Sequence, residues 1–224
     1  MASEKLKIPI LPVQNLVFFP KTSVPLTIEN PMAIQIIKDC IEFDCPVGLG
    51  LAESFGSFIS EIPKKICGIG IPLMLEDDGG RIKILVNGIN RVKVGKIIQD
   101  HPYSVYDVEI FEDKQELISL DDLNLIKLKT IFEKWLDQSL LRPTERNQLM
   151  ETLRAPAHLV DYICMFLVKD LDIRQILLEC PSLLERIQTL SLIFRDGNPF
   201  LEDFNILQVI KEYDHLEKTA HLAH

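Results

Sequence analysis

The sequence predicts an α+β protein in which a closed β-barrel with one inserted helix is followed by a bundle of helices. Apolar and polar residues alternate with a period of two in the first half of the 224-residue chain, as in half-buried strands. After about residue 116 the apolar spacing changes to that of helices. Six or more strands are expected to close on themselves, because closure removes exposed sheet edges. We expect a barrel over residues 1–115, a helical bundle over 116–197, and a final helix and tail over 198–224.

The strands of the first half are predicted from alternating or continuous apolar runs separated by turn residues. They cover residues 6–10, 24–28, 47–51, 66–75, 81–86, 89–98 and 103–111. The turn Asp77-Asp78-Gly79-Gly80 predicts a hairpin between the fourth and fifth of them. Asn87-Gly88 is expected to bend the chain through positive backbone torsions. Residues 52–63 are interpreted as a loop.

The helices are predicted from capping residues followed by apolar residues at helical spacing. In the first half, Asn30 is a good N-cap and Pro31 suits the first helical position. The second half contains six such starts, and Gly197 is placed to end the fifth helix. The starts are Ser119 with Asp122, Pro143, Pro156, Asp172, Pro181 and Asn198-Pro199.

Composition and charge exclude several classes of protein. The chain has 47% hydrophobic and 25% charged residues, close to average globular usage, and a net charge of −9 disfavours general binding to nucleic acid or anionic lipid. Neither a signal peptide nor a membrane span is expected. The cysteines form no CxxC pair and are odd in number, which indicates neither disulfides nor zinc and favours a reducing cytoplasm. They are Cys40, Cys45, Cys67, Cys164 and Cys180.

No motif of a known catalytic class is found, so the sequence predicts no enzyme, no catalytic residue, no metal and no cofactor. The nucleotide-binding pattern GxxxxGK[ST], the zinc-protease pattern HExxH, the hydrolase pattern GxSxG and the dinucleotide-binding glycine pattern are all absent. The five histidines are scattered, three of them in the tail.

Several motifs follow one another in a definite order along the chain. They are Ile10-Leu11-Pro12-Val13, Val17-Phe18-Phe19-Pro20, Val24-Pro25-Leu26, the run from Gly68 to Leu75, the turn at Asp78 to Gly80, Val86-Asn87-Gly88 with Arg91, and the strand after Pro102-Tyr103. Their order resembles the N-terminal substrate-recognition domain of Lon proteases over roughly residues 8–195. The resemblance implies a PUA-like barrel packed on a helical bundle. It also implies a non-catalytic module that binds polypeptides, here without ATPase or peptidase modules. The same glycines and prolines have structural explanations, since they suit turns and bends.

Phe55, Phe58 and Ile59 are the candidate protein-binding residues. They place apolar side chains in segment 52–63, where the Lon family usually has a more polar loop. Such a loop either tucks over the end of the barrel or contacts a partner. The partners considered are unfolded or hydrophobic polypeptides, a separate AAA+ protease, and a second copy of the chain in a weak homo-oligomer.

A run of basic residues supports an alternative function. From residue 81 to 96 there are five positive side chains and no acid, which predicts an RNA- or anion-binding face like those of other PUA-like barrels. The alternative without a binding function is a strand face that is exposed to solvent. Aromatic residues do not interleave with the charges, although binding of single-stranded nucleic acid by base stacking requires them. The five are Arg81, Lys83, Arg91, Lys93 and Lys96.

Overall fold

The computed structural model describes residues 6–55, 58–138 and 142–195, with the backbone alone for 54–55 and 58–61. The chain divides into two compact units, residues 1–112 and 113–224. The elements of the first unit are β1 (Leu6–Val13), β2 (Ser23–Ile28), α1 (Pro31–Glu42), β3 (Val47–Phe55), β4 (Phe58–Pro63), β5 (Ile66–Asp77), β6 (Ile82–Gln99) and β7 (Val105–Ile110). Those of the second are α2 (Leu123–Asp137), α3 (Pro143–Thr152), α4 (Pro156–Phe166), α5 (Leu171–Glu179) and α6 (Leu183–Ile193).

The strands of the first unit form one mixed sheet that closes into a ring. The strand order is β1-β7-β6-β5-β3-β4, and a further pairing of β1 with β3 closes the path, while β2 pairs with β6. The β1–β3 pair is parallel and the other pairs are antiparallel. The predicted closed sheet with one helix is therefore confirmed. Its core contains Ile8, Ile10, Cys67, Ile69, Val92, Tyr106 and Val108.

The hairpin between β5 and β6 is confirmed at the predicted turn. Gly79 adopts a φ of 81°, a left-handed conformation that glycine reaches without the steric cost of a side chain. Its backbone N–H donates to Asp77 Oδ1 at 2.8 Å, and the N–H of Asp78 donates to the carbonyl of Arg81 at 3.0 Å.

The prediction that Asn87-Gly88 bends the chain through positive torsions is wrong. Strand β6 runs through this dipeptide, and the φ angle of Gly88 is not positive. The sheet instead accommodates one extra residue, Ile89, because Ile69 pairs with Asn90 whereas Gly70 pairs with Gly88. Gly88 is needed for space: a Cβ there would lie 2.6 Å from the backbone oxygen of Phe19.

Segment 52–63 is a hairpin rather than the predicted loop. Ala52 pairs with Pro63, and Phe55 at the end of β3 pairs with Phe58 at the start of β4. Phenylalanine and isoleucine favour strands, and Gly56-Ser57 between the two runs is a sequence signal for a two-residue hairpin turn. That signal could have identified the hairpin from the sequence.

Three of the predicted helix starts are confirmed. Asn30 precedes α1, and its Oδ1 accepts the N–H of Ala33 at 3.0 Å, as an N-cap does. Pro143 and Pro156 occupy the first positions of α3 and α4, where the missing N–H costs no helical hydrogen bond.

Three other starts are displaced by two or three residues. The N-cap of α2 is Asp122, which accepts two backbone N–H groups, rather than Ser119. The N-cap of α5 is Asp170 rather than Asp172, and α6 begins after the N-cap Ser182 rather than at Pro181. In each case an Asp or Ser side chain that accepts a backbone N–H decides the start. Gly197 and the predicted helix and tail over 198–224 lie outside the described residues.

Glu116 caps α6 from outside the helix and gives the second unit a pH-dependent contribution to stability. Its carboxylate accepts the N–H of Leu184 at 2.9 Å and the hydroxyl of Ser182 at 2.7 Å. These hydrogen bonds hold the pKa of Glu116 below its ordinary value, and the bond from the backbone N–H of Leu184 has the largest effect. A lowered carboxyl pKa stabilises the fold above the unfolded-state pKa, and this stabilisation is lost as the pH falls through the folded-state pKa.

We expect Glu116→Gln to be less stable than the wild type at neutral pH and to lose that difference as the medium is acidified. The measurement is urea unfolding from pH 7 down to about 3, a range that spans the ordinary carboxyl pKa. The exposed Glu112→Gln is the control. A stability difference for Glu116→Gln that stays constant over this range would contradict the expectation.

Candidate functional site

A cleft in the first unit lies between β1, the start of α1 and the residues that precede β7. Its volume is about 460 Å³, within the range of roughly 300–1,000 Å³ that is usual for ligand sites. No side chain that lines it is charged. The lining residues are Ile10, Leu11, Pro12, Gln14, Asn30, Met32, Ala33, Ile36, Ala52, Tyr103, Ser104 and Tyr106.

The cleft lies where β1 changes its pairing partner. The first half of β1 pairs with β7 up to the pair Pro9 and Val105, and the second half, from Ile10 to Val13, pairs with β3. Within the part of the chain that the structure describes, no strand pairs with the other edge of this second half. A short, unpaired strand edge therefore borders the cleft.

Helix α1 provides an apolar wall. Its residues Met32, Ala33 and Ile36 line the cleft, at the spacing that places them on one helical face. Ile36 is buried, whereas the side chain of Met32 is 57% exposed. A flexible methionine at such a position can adapt to apolar groups of different shape.

Two acidic side chains accept hydrogen bonds from polar residues of the cleft. The hydroxyl of Tyr103 donates to Asp39 Oδ2 at 2.7 Å, and the hydroxyl of Ser104 donates to Asp100 Oδ1 at 3.1 Å. Burial, the hydrogen bond to Asp39 and the charge of Asp39 raise the pKa of Tyr103, so this phenol stays neutral at physiological pH. Two carboxylates therefore lie next to the cleft although its lining is neutral.

The predicted protein-binding residues belong to the hairpin that continues from the cleft. Ala52 lines the cleft and also begins the pairing of β3 with β4, and Phe55 and Phe58 pair at the far end of that hairpin. The side chains of Phe55, Phe58 and Ile59 are outside the described part of the structure. Their contact with a partner stays a prediction.

Three members of the predicted basic face carry interactions that the sequence did not reveal. Arg81 pairs with Asp78 at 3.2 Å, and Lys83 forms an ion pair with Glu76, which faces it across the β5–β6 hairpin. Arg91 is only 3% exposed, and its guanidinium lies 4.9 Å from the centre of the Phe111 ring.

The other two, Lys93 and Lys96, are exposed, and Lys93 pairs in register with Glu109. The two acids that pair with Arg81 and Lys83 reduce the local positive charge, and the burial of Arg91 interrupts the row. The five residues do not form one continuous basic surface, and the geometry does not favour an RNA- or anion-binding face.

The described residues include metal-ligating and nucleophilic side chains, the cysteines among them. No cluster of His, Cys, Asp or Glu within this part of the chain could hold a metal ion. None of the five cysteines forms a disulfide. Burial raises the pKa of Cys67 to about 12 and also raises that of Cys40, so neither forms the nucleophilic thiolate at neutral pH. Among the described helices, none has the length and apolarity needed to cross a membrane.

Sequence reasoning missed the cleft as a site, although β1 contains a signal for it. Pro9 and Pro12 both lie in β1, and proline cannot donate to a β-ladder and is therefore confined to strand edges and ends. These prolines could have indicated that β1 has an unpaired edge. Nothing in the sequence could have shown that α1 and Tyr103 face that edge.

Comparison with protein families gives one match that covers most of the chain. The model of the ATP-dependent protease La (LON) substrate-binding domain matches residues 7–195. The Lon protease of Buchnera aphidicola is 23% identical over 220 residues, which are 96% of this chain and 27% of that protein. Lon protease 2 of Myxococcus xanthus is 27% identical over 186 residues, 81% of this chain and 22% of that protein. The chain thus spans about a quarter of the length of these relatives.

Two solved structures share the fold. A Lon N-terminal domain protein from Xanthomonas campestris superposes with a TM-score of 0.60 at 16% identity, covering 84% of this chain and 98% of that one. The N-terminal domain of the Mycobacterium avium complex Lon protease superposes with a TM-score of 0.55 at 18% identity, covering 83% and 96%.

Proposed function

Since the chain belongs to the family of Lon substrate-binding domains, we propose that it is a non-catalytic module that binds unfolded or apolar polypeptides and acts as their adaptor or receptor. The observation that carries this proposal is the neutral, partly apolar cleft, which borders an unpaired strand edge and continues into the hairpin with Phe55 and Phe58. A surface of this kind suits an extended apolar segment.

The expected affinity of one module is low. Burying two or three apolar side chains yields about 1.5–3 kcal/mol each, and association costs at least about 4 kcal/mol. The remainder corresponds to weak binding, so efficient capture requires several modules that act together, or a second protein.

The partner we propose for the client-loaded module is an ATP-dependent AAA+ protease. The curated relatives are Lon proteases, and substrate binding by this domain would supply such an enzyme with polypeptides. The five cysteines, none of which forms a disulfide, support action in a reducing compartment such as the cytoplasm.

We expect the double substitution Phe55→Ser, Phe58→Ser to weaken binding of an unfolded test protein by at least about tenfold, because it removes two large apolar side chains from the hairpin. The measurement is fluorescence anisotropy with a labelled, reduced and carboxymethylated protein that cannot refold. The matched control is Phe43→Ser, which removes a phenylalanine that is 72% exposed elsewhere in the same unit.

Equal dissociation constants for the wild type and the double variant would remove the hairpin from the proposed site. A wild type that binds no unfolded protein at all would overturn the proposed function. Urea unfolding of all three proteins shows whether a loss of binding reflects a loss of fold.

A further inference from the structure

We propose that the cleft binds an extended polypeptide segment by adding it as a strand to the unpaired edge of β1 between Ile10 and Val13. This inference rests on the proposed function and specifies where and in which conformation a client is held. The occupant is a segment of another polypeptide chain that carries apolar side chains flanked by lysine or arginine.

The backbone of β1 provides the first argument. In the parallel pair of β1 and β3, Ile10 lies opposite Gly48 and Val13 opposite Leu51. Alternate residues of such a strand direct their N–H and C=O groups to the paired neighbour, and the residues between them direct theirs to the opposite edge. On that edge β7 ends its pairing at Pro9, so the groups that alternate residues of the following stretch direct to this edge face the cleft instead of a strand, although Pro12 has no N–H to contribute. An extended peptide can satisfy them by strand addition.

The dimensions of the cleft fit a short strand. An extended chain advances about 3.3 Å per residue, so the edge from Ile10 to Val13 accepts a segment of about four residues. Beyond this edge stand Tyr103 and Ser104, and α1 forms the adjacent wall, so the segment would lie in a groove of about 460 Å³. Its far end would point along β1 to Gln14, whose exposed amide can bind a further backbone group.

The side chains of the lining select apolar residues at alternate positions. Successive residues of a strand point to opposite faces, so every second side chain of the client would face Met32 and Ile36 on α1. Ala33 between them leaves room for a branched or aromatic side chain. The other client side chains would point to solvent and can be polar.

Charge selects the flanks of the segment. The lining itself is neutral, while Asp39 and Asp100 accept hydrogen bonds from the lining residues Tyr103 and Ser104. Glu29 precedes the cleft residue Asn30, and Glu53 follows the cleft residue Ala52. A client with lysine or arginine beside its apolar residues is therefore favoured over one with glutamate or aspartate.

The first test uses peptides and needs no protein variant. Four fluorescent peptides are each titrated with the full chain. They are Lys-Val-Thr-Val-Thr-Val-Lys, its counterpart with glutamate in place of both lysines, and two derivatives of the first peptide that are N-methylated on one or the other set of alternate amides. We expect N-methylation of one alternate set to reduce binding at least tenfold and of the other set to have little effect, because only one set donates to β1. We expect the glutamate-flanked peptide to bind several-fold more weakly.

The second test blocks the cleft. Ala33→Phe fills the wall of α1 and is expected to abolish peptide binding and to weaken binding of the unfolded test protein at least tenfold. Ile41→Phe, on the same helix but away from the lining, should bind like the wild type.

The outcomes separate this inference from the proposed function. If the wild type binds the unfolded protein but neither the N-methylated peptides nor Ala33→Phe differ from their controls, the strand-addition site is wrong and the module binds clients elsewhere. If the wild type binds neither peptide nor unfolded protein, the proposed function itself fails, and the inference fails with it. If sedimentation shows a dimer that Ala33→Phe dissociates, the occupant of the edge is a second copy of the chain, and the client site is overturned.

Discussion

Replacing Arg186 with methionine is expected to lower the free energy of unfolding by about 3–5 kcal/mol, the cost of leaving a buried charge without its partner. Arg186 lies in α6 with its side chain 1% exposed, and it donates to Asp161 and to Asp113, each at 2.7 Å. Burial lowers the pKa of Arg186, but the two carboxylates raise it by more, so the guanidinium stays charged in the interior. Without it, Asp161 is a buried carboxylate that has lost its cation.

The measurement is urea unfolding followed by the fluorescence of Trp135, the single tryptophan, which is buried in the same unit. Arg154→Met is the control, because Arg154 pairs with Glu151 at the surface and such pairs contribute at most about 1 kcal/mol. The double variant Arg186→Met, Asp161→Leu should recover much of the lost stability, since it removes the buried pair and leaves only Asp113, whose side chain is 36% exposed. An Arg186→Met protein as stable as the Arg154→Met control would show that the buried pairs do not support the unit.

The second large effect is expected for Gly88→Ala, which should destabilise the first unit by about 1–3 kcal/mol through overpacking. A Cβ at this position would lie 2.6 Å from the backbone oxygen of Phe19 and 2.9 Å from that of Thr22. Neither oxygen can move easily, because Thr22 accepts the N–H of Gly88 at 2.8 Å and Phe19 accepts the hydroxyl of Thr22 at 2.7 Å.

The matched control is Gly80→Ala in the β5–β6 turn, where a Cβ meets no atom within 4 Å and φ is not positive. Urea unfolding followed by far-ultraviolet circular dichroism compares the two variants, and only Gly88→Ala should shift the transition. Equal midpoints would show that the loop carrying Phe19 and Thr22 moves freely away from β6.

The contacts of Gly88 also explain why two separate motifs occur together in this sequence. The run Val17-Phe18-Phe19-Pro20 and the dipeptide Asn87-Gly88 are distant in sequence, and the structure brings them together. The N–H of Lys21 donates to the carbonyl of Gly88 at 3.0 Å. These residues therefore hold a loop against a strand, which is a structural role.

Much of the fold could be predicted because its signals are local. The alternation of apolar residues depends on the two-residue repeat of a strand, and the start of α1 depends on Asn30 and Pro31 within one turn of the chain. The displaced starts of α2 and α5 have a local cause too: several residues nearby can cap, and only the hydrogen bond made by Asp122 or Asp170 decides among them.

The candidate site could be predicted only in part, because its features depend on contacts between residues that are distant in sequence. The sequence shows Phe55 and Phe58 as apolar residues in a segment that is predicted to be a loop. Their pairing in a hairpin depends on the register between β3 and β4. The basic row was visible in the sequence, whereas the burial of Arg91 over Phe111 depends on a contact between strands.

The sequence by itself determined the α+β class, the change from strands to helices and the absence of catalytic motifs, because each follows from residues close together in the chain. Only the tertiary structure decided that β1 closes the ring on β3, that its second half keeps an unpaired edge, and that Tyr103 and α1 enclose that edge as a cleft. These features join segments far apart in sequence, and their pairing is decided by the packing of the whole unit rather than by local preference.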